Sequence, residues 1–271
     1  MELIQIIVLA LVQGLTEFLP ISSSAHLVLT PRVFGWSDQG LAFDVAVHVG
    51  TLVAVVFYFR SDLISVAKAW VRSLSTRQQT TESRLAWGLV VATIPICVGA
   101  LLLGDALKQL RSLEVIAATT IIFGILLWGS DKFGRGERTS EDVGWKDMIW
   151  IGIAQAFAII PGTSRSGSTI TAGLFLKLNR TTAARISFLL SVPTIGLAGG
   201  HQLMELLGEA EPIDWSAIGI GAALSTLSAY ACIRLFLGFV EKVGVMPFVL
   251  YRFALGAALI YFVCAEYNPP T

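Results

Sequence analysis

The chain has 271 residues, 55% of them hydrophobic and 14% charged, and its mean hydropathy is +0.73. Apolar blocks of about 20 residues joined by short polar connections exclude an ordinary soluble domain and describe a single membrane domain. Lys plus Arg equals Asp plus Glu at 19 each, so there is no basic field for nucleic acid and no acidic one for cationic partners, and any functional charge must be local.

The first element, "MELIQIIVLALVQGL", starts with Glu2 and has neither a basic n-region nor a small-residue cleavage site, so it reads as structure rather than as a cleaved leader. Its apolar region, 2–35, is interrupted by "FLPISSSAHL", and a second region, 147–178, is interrupted by "IIPGTSRSGS". Proline and hydroxyl residues at membrane depth free backbone groups that hydrocarbon cannot satisfy, so each region predicts a re-entrant pair of half-helices beside protein or a watery cavity. Three full spans follow the first break, Leu41–Phe59, Leu85–Leu103 and Val115–Trp128. Three follow the second, Ile186–Leu206, Ala217–Leu237 and Phe248–Val263. The expected fold is an all-α polytopic membrane protein with six transmembrane helices and two re-entrant half-helix pairs.

The 60–84 loop carries Arg60, Lys68, Arg72, Arg77 and Arg84, and the 130–147 loop carries Lys132, Arg135, Arg138 and Lys146, which makes both cytoplasmic. The 205–214 segment carries Glu205, Glu209, Glu211 and Asp214 without a basic residue. The first hairpin then enters from outside and the second from inside. The single domain thus divides into repeats 1–128 and 147–263 of inverted topology, whose breaks meet near the midplane. Gln13, Pro20 and Ser23 echo Gln155, Pro161 and Ser164 with a displacement of one residue. Cys97, Cys232 and Cys264 lack metal-ligand spacing and are expected to pack as small apolar residues.

Chemistry concentrates at the two breaks. Gln13 and Glu17 are spaced i, i+4 and share one helix face, where they suit a cation; an ionisable group inside a span is costly and usually functional. After Pro20 a half-helix restarts with Ser22 or Ser23 at its N-terminus, and Ser23 and His26 are neighbours at i, i+3, the minimal pair of nucleophile and base. Pro161 and Gly162 end the other half-helix, Thr163 or Ser164 caps the next, and its free N–H groups form an anion site. Arg165, flanked by Ser164, Ser166, Ser168 and Thr169, suits a phosphate or carboxylate; a cap on carbonyls or a pair with Glu17 is the alternative. His48 and His201 read as bonded interior histidines, and Asp44 and Thr51 lie on the span that follows the first break. Together the breaks supply what phosphoryl transfer on a lipid head group needs. Broken helices in an inverted repeat also suit a transporter of a lipid head group or small anion.

"QGLTEFLPISSSAH" resembles the (E/Q)-x-x-x-E segment and P-x-S-S-x-x-H of the bacterial undecaprenyl pyrophosphate phosphatases, or bacitracin-resistance proteins, and "PGTSRSGST" resembles their P-G-x-S-R-S-x-x-T signature. The similarity continues through "FDVAVHVGTLVAVVFYFR" and "RISFLLSVPTIG". It implies a multi-pass enzyme of the bacterial cytoplasmic membrane that hydrolyses the C55 isoprenoid diphosphate to its monophosphate at the periplasmic or exterior face. That reaction recycles the carrier lipid for peptidoglycan and confers bacitracin resistance. It also implies a divalent cation, Mg²⁺ or Ca²⁺, on Glu17 and Gln13, Ser23 as nucleophile with His26, and Ser164 and Arg165 on phosphate. Ser22, Ser24, Ser166 and Thr169 complete the expected substrate contacts, and a second copy of the chain is a candidate partner. Gln13 departs from the Glu of many members and lowers the negative charge of the site. Ser24 and Ala25 replace a common Thr-Gly, leaving less room for close backbone approach. His26 as nucleophile and direct attack by a metal-activated water stay open.

Overall fold

The computed structural model describes residues 1–104, 110, 112–134, 136–208 and 214–267. Its helices are α1 (Leu3–Thr16), α2 (Ser23–Phe34), α3 (Gly40–Tyr58), α4 (Arg60–Thr76), α5 (Thr81–Leu103), α6 (Leu113–Phe133), α7 (Trp145–Ala156), α8 (Arg165–Phe175), α9 (Arg180–Gly208), α10 (Trp215–Lys242) and α11 (Met246–Tyr267). Single 3₁₀ turns occur at Ser140–Asp142 and Phe157–Ile159, and among the described residues there is no strand beyond one isolated bridge between Arg138 and Leu178.

Among the described residues six helices, α3, α5, α6, α9, α10 and α11, are long and apolar enough to cross a membrane, as expected from the apolar runs. The four helices flanking the breaks are different. With 14, 12, 12 and 11 residues, α1, α2, α7 and α8 extend only about 16–21 Å, short of the roughly 30 Å hydrocarbon core.

The 60–84 loop departs from expectation, because most of it is helix α4. Val66 and Ser73 are buried on one side, and Trp70 and Trp87 meet edge to face at 5.7 Å while Trp87 Nε1 donates to Ser73 Oγ. Ile64, Val71 and Leu74 remain exposed beside Lys68 and Arg72, so three of the five basic residues counted as a loop signal, Arg60, Lys68 and Arg72, lie along a two-faced helix. In the next basic segment Arg138 is anchored, donating to both carboxylate oxygens of Asp147 at 2.9 and 2.7 Å and to Leu176 O at 2.7 Å. Arg135, Glu209 and Glu211 lie outside the described residues. Cys97, Cys232 and Cys264 are all free thiols, with Cys232 buried and Cys264 exposed.

The two breaks have one local conformation. Ser22 has φ 72° and ψ 95°, and its Oγ caps α2 by accepting from Ala25 N. Ser164 has φ 70° and ψ 114°, and its Oγ caps α8 by accepting from Gly167 N. Each cap hydroxyl touches the hydroxyl two residues on, Ser24 at 3.1 Å and Ser166 at 3.2 Å. Equal spacing along the chain relates Ser22 to Ser164, Ser24 to Ser166 and Gln13 to Gln155. The displacement of one residue in the sequence echo is therefore resolved: it comes from the prolines, and the position matching Ser164 is Ser22, whereas Ser23 matches Arg165.

Small residues let the short helices approach their neighbours. A Cβ on Gly14 of α1 would overlap Ser228 and Ser225 of α10, and one on Gly152 of α7 would overlap the backbone of Ala92 in α5. Carbonyls freed at the breaks find donors inside the protein. Thr119 Oγ1 donates to Pro161 O at 2.6 Å, Ser166 Oγ to Leu19 O at 2.8 Å, and Arg252 to both Pro20 O and Gly162 O.

Candidate active site

Helix α1 ends where its last turn presents Glu17 to the second break. This buried carboxylate organises the site. Its Oε2 accepts from Ser23 Oγ at 2.6 Å and from Gln13 Nε2 at 3.1 Å, while its Oε1 accepts from Arg165 Nη2 at 3.0 Å. The i, i+4 spacing brings Gln13 and Glu17 together as expected, and the pair of Glu17 with Arg165, one of the sequence alternatives, is present. Arg165 also donates Nη1 to Ser187 O at 2.8 Å and lies 5.9 Å from the centroid of the Phe18 ring. The guanidinium is thus held in one orientation from three sides.

Ser23 and Arg165 are the first residues of α2 and α8. First-turn amides have no carbonyl a turn earlier to bond, so Ser23, Ser24, Arg165 and Ser166 bring N–H groups and two positive helix ends to one place. The breaks touch directly, with Gly162 N donating to Ser24 Oγ at 3.5 Å.

The structure pairs Ser23 with Glu17 rather than with His26. His26 Nδ1 is 2.7 Å from Ser22 O, and because a carbonyl only accepts, Nδ1 carries the hydrogen. Nε2 then accepts from Tyr251 OH at 2.6 Å, and the two rings lie nearly parallel, 11° apart. Among the expected phosphate contacts, Ser22 and Ser164 are helix caps, and Ser24 is exposed. Ser166 and Thr169 are buried with hydroxyls engaged inside the fold: Ser166 bonds Leu19 O, and Thr169 bonds Arg165 O and Ser187 Oγ. They hold the breaks and Arg165 in place.

Several site residues escaped the sequence reading. His48 lies with Nε2 3.8 Å from Glu17 Oε2 and Nδ1 bonded to Asp44 O, so it lines the site. Thr51 bonds back to His48 O, and the Asp44 carboxylate accepts from Gln39. His201 is exposed on the polar end of α9, 3.9 Å from Glu205, and is not an interior histidine. Tyr251 gave no signal of its own. Arg252, fully buried, gave one: a lone cation in "FVLYRFALGAALIYFV" is costly in a span.

Gln13 Oε1 is a buried acceptor without a hydrogen-bond partner, directly beside the Glu17 carboxylate. Such an atom suits a cation. No group of three or more His, Cys, Asp or Glu side chains that could hold a metal exists among the described residues, so the protein offers one carboxylate and one amide oxygen. That donor set fits Mg²⁺ or Ca²⁺ only if phosphate oxygens or waters complete the shell.

The family described as bacitracin resistance protein BacA matches residues 6–258. The chain belongs to the BacA family. Its relatives are alike from end to end. Undecaprenyl-diphosphatase 2 of Stutzerimonas stutzeri is 55% identical over 264 residues, covering 96% of this chain and 98% of that one. Undecaprenyl-diphosphatase of Nitrosococcus oceani is 53% identical over 262 residues, covering 96% and 99%. Undecaprenyl-diphosphatase 1 of Pseudoalteromonas translucida is 53% identical over 264 residues, covering 97% and 99%. The BacA match encloses both breaks and every residue of the Glu17 site, from Gln13 to Tyr251.

Proposed function

We infer that this BacA-family chain is an undecaprenyl-diphosphatase, a membrane enzyme that removes the terminal phosphate of an isoprenoid diphosphate. The observation that carries the reading is the 2.6 Å hydrogen bond from Ser23 Oγ to Glu17, with Arg165 on the other carboxylate oxygen and two helix N-termini converging there. A hydroxyl on a buried carboxylate is an activated nucleophile, and the arginine and amides lie where phosphoryl charge would develop.

In the first half-reaction Ser23 Oγ bonds to the terminal phosphorus, its proton passes to Glu17 Oε2, and the bridging oxygen leaves with its electron pair on the isoprenyl monophosphate. In the second, a water oxygen bonds to phosphorus and the P–Oγ bond breaks. The proton on Glu17 returns to Oγ, and both water hydrogens leave with the phosphate. His26 Nε2 is the acceptor that orients this water once the Tyr251 hydroxyl yields. A divalent cation held by Glu17 and Gln13 would neutralise phosphate oxygens.

Around this site we place α1/α2 and α7/α8 as re-entrant pairs of an inverted repeat, 1–128 and 147–263. Their breaks lie near the membrane centre, and the cleft opens to the periplasmic or exterior side of the cytoplasmic membrane. Glu17, Ser23 and Arg165 all come from one chain, so a second copy is not needed to complete the site. A transporter needs charge and dipoles but no hydroxyl on a carboxylate, which favours the hydrolase.

The test is phosphate release from the C55 diphosphate by purified protein in detergent, with Mg²⁺ or Ca²⁺ and then with chelator, for wild type, Ser23→Ala and Arg165→Ala. Release that needs the cation and disappears in both variants is expected. No release by folded wild type under any tested cation would refute the reading in favour of transport.

A further inference from the structure

Buried or half-buried arginines in this structure meet carboxylates, as Arg138 does Asp147, Arg165 Glu17, Arg180 Asp131 and Arg185 Asp62. Arg252 does not, although its side chain is 0% exposed. Its Nε donates to Thr120 O at 3.0 Å, Nη1 to Pro20 O at 3.3 Å, and Nη2 to Thr119 O at 3.3 Å and Gly162 O at 3.0 Å. Every acceptor is a neutral carbonyl, and among the described residues no carboxylate lies within salt-bridge distance of it. One planar fork thereby joins α11, α6 and the two breaks. It also lies against the first turn of α8, because a Cβ built on Gly167 would stand 3.2 Å from Arg252 Nη1 and 3.1 Å from Ser164.

The charges at the centre do not cancel. Glu17 and Arg165 neutralise each other, and Arg252 and the two helix ends leave a net positive interior. A buried cation without a counter-ion is costly, and bonds to carbonyls offset only part of that cost. The ligand of the proposed reaction carries the missing charge.

We propose that Arg252 is a positioning residue of the phosphate site: it ties the two breaks together through Pro20 O and Gly162 O, and its unpaired charge is balanced by the bound diphosphate. The inference rests on the hydrolase reading for its reaction, but its binding half stands on charge alone. Arg252 acts through the carbonyls and its field, and its two contributions separate in two substitutions. Arg252→Lys keeps the charge and loses the fork, while Arg252→Gln keeps polar contacts and loses the charge.

The probe is inorganic pyrophosphate, titrated against the thermal unfolding of the full chain in detergent, alongside kcat and KM for the lipid diphosphate. Wild type and Ser23→Ala are expected to be stabilised by pyrophosphate with the same affinity. Arg252→Gln should bind it at least about tenfold more weakly and raise KM in parallel, whereas Arg252→Lys should stay within about threefold in affinity and lose about tenfold in kcat as the breaks loosen. Unchanged affinity in Arg252→Gln overturns the proposal, as does an equal loss of affinity in both variants, which would make the fork purely structural. If Arg252→Gln does not fold, Arg252→Lys decides alone: tenfold weaker binding, or unchanged kcat, overturns it. Failure of the wild type to hydrolyse the lipid would sink the hydrolase reading, while the pyrophosphate titration would still judge Arg252.

Discussion

Replacing Glu17 by Gln keeps the shape of the side chain and removes its charge, which sets two effects of the same carboxylate against each other. The carboxylate accepts from Ser23 and Gln13 on one oxygen and from Arg165 on the other. An amide has one acceptor and one donor end. With its oxygen toward Ser23, its NH₂ opposes Arg165; turned over, the NH₂ faces Ser23 Oγ and can take no proton from it. Neither orientation leaves an activated nucleophile, and loss of a general base costs about 10²–10⁴ in rate, so kcat should fall by roughly 10³. Stability should fall too, because the side chains of the ion pair are only 10% and 7% exposed and removing one partner of a buried pair costs about 3–5 kcal/mol. Exchanging both partners for apolar residues of similar volume is often neutral. The double variant Glu17→Met/Arg165→Met should therefore recover most of the lost stability and none of the activity. Phosphate release and thermal unfolding in detergent measure the two effects separately. A Glu17→Gln enzyme with wild-type kcat, or a double variant less stable than the single one, would refute this account of the carboxylate.

Ser22 and Ser164 hold φ near +70° without being glycine, a conformation that costs about 1–3 kcal/mol, whereas replacing a serine cap by glycine costs only tenths. Ser22→Gly and Ser164→Gly should each raise the unfolding temperature and the corresponding alanines lower it, and a glycine variant less stable than its alanine would contradict the strain. Tyr251→Phe keeps the ring beside His26 and removes the hydroxyl bonded to Nε2. Because Nε2 must be released by that hydroxyl before it can orient the water, kcat should be unchanged or higher, with KM and thermal stability nearly unchanged; a tenfold lower kcat would refute the order in which Tyr251 yields and His26 takes the water. Gln13→Glu replaces the unpartnered amide oxygen by a second carboxylate beside Glu17. The Mg²⁺ concentration for half-maximal activity should then fall about tenfold, as expected when a hard cation gains a charged oxygen, and an unchanged requirement would place the cation elsewhere.

The spans were legible because a run of about 20 apolar residues needs no periodicity to be recognised. Helix α4 was not, since its apolar positions Leu63, Val66 and Trp70 alternate with Lys68 and Arg72 and match a polar loop in composition. Glu17, Ser23 and Arg165 were legible for one reason: polar groups next to a proline break inside lipid must have an internal use. The same rule applied to Arg252, but no break marked its span. What the sequence could not supply was partners. His26 and Tyr251 are 225 positions apart, and the hydroxyls of Ser166 and Thr169 look like ligands until the fold shows Leu19 O and Ser187 already bonded to them.

The matched breaks explain why the site is lopsided although their local conformation is the same. Both halves provide a strained serine cap, a hydroxyl two residues on and an open helix end. Between cap and hydroxyl, one half carries Ser23 and the other Arg165, so in the proposed reaction the same backbone position would deliver the group that attacks and the group that holds the charge. Glu17 completes the asymmetry, for the equivalent place before the second cap is the apolar Ile159. Ile159 packs against α5, where a Cβ on Gly99 would stand 2.5 Å from its Cδ1, so that place takes an apolar side chain. One carboxylate accepts from both Ser23 and Arg165 and in the proposed reaction would orient attacking group and phosphate holder at once, which is why its removal should cost both activity and fold.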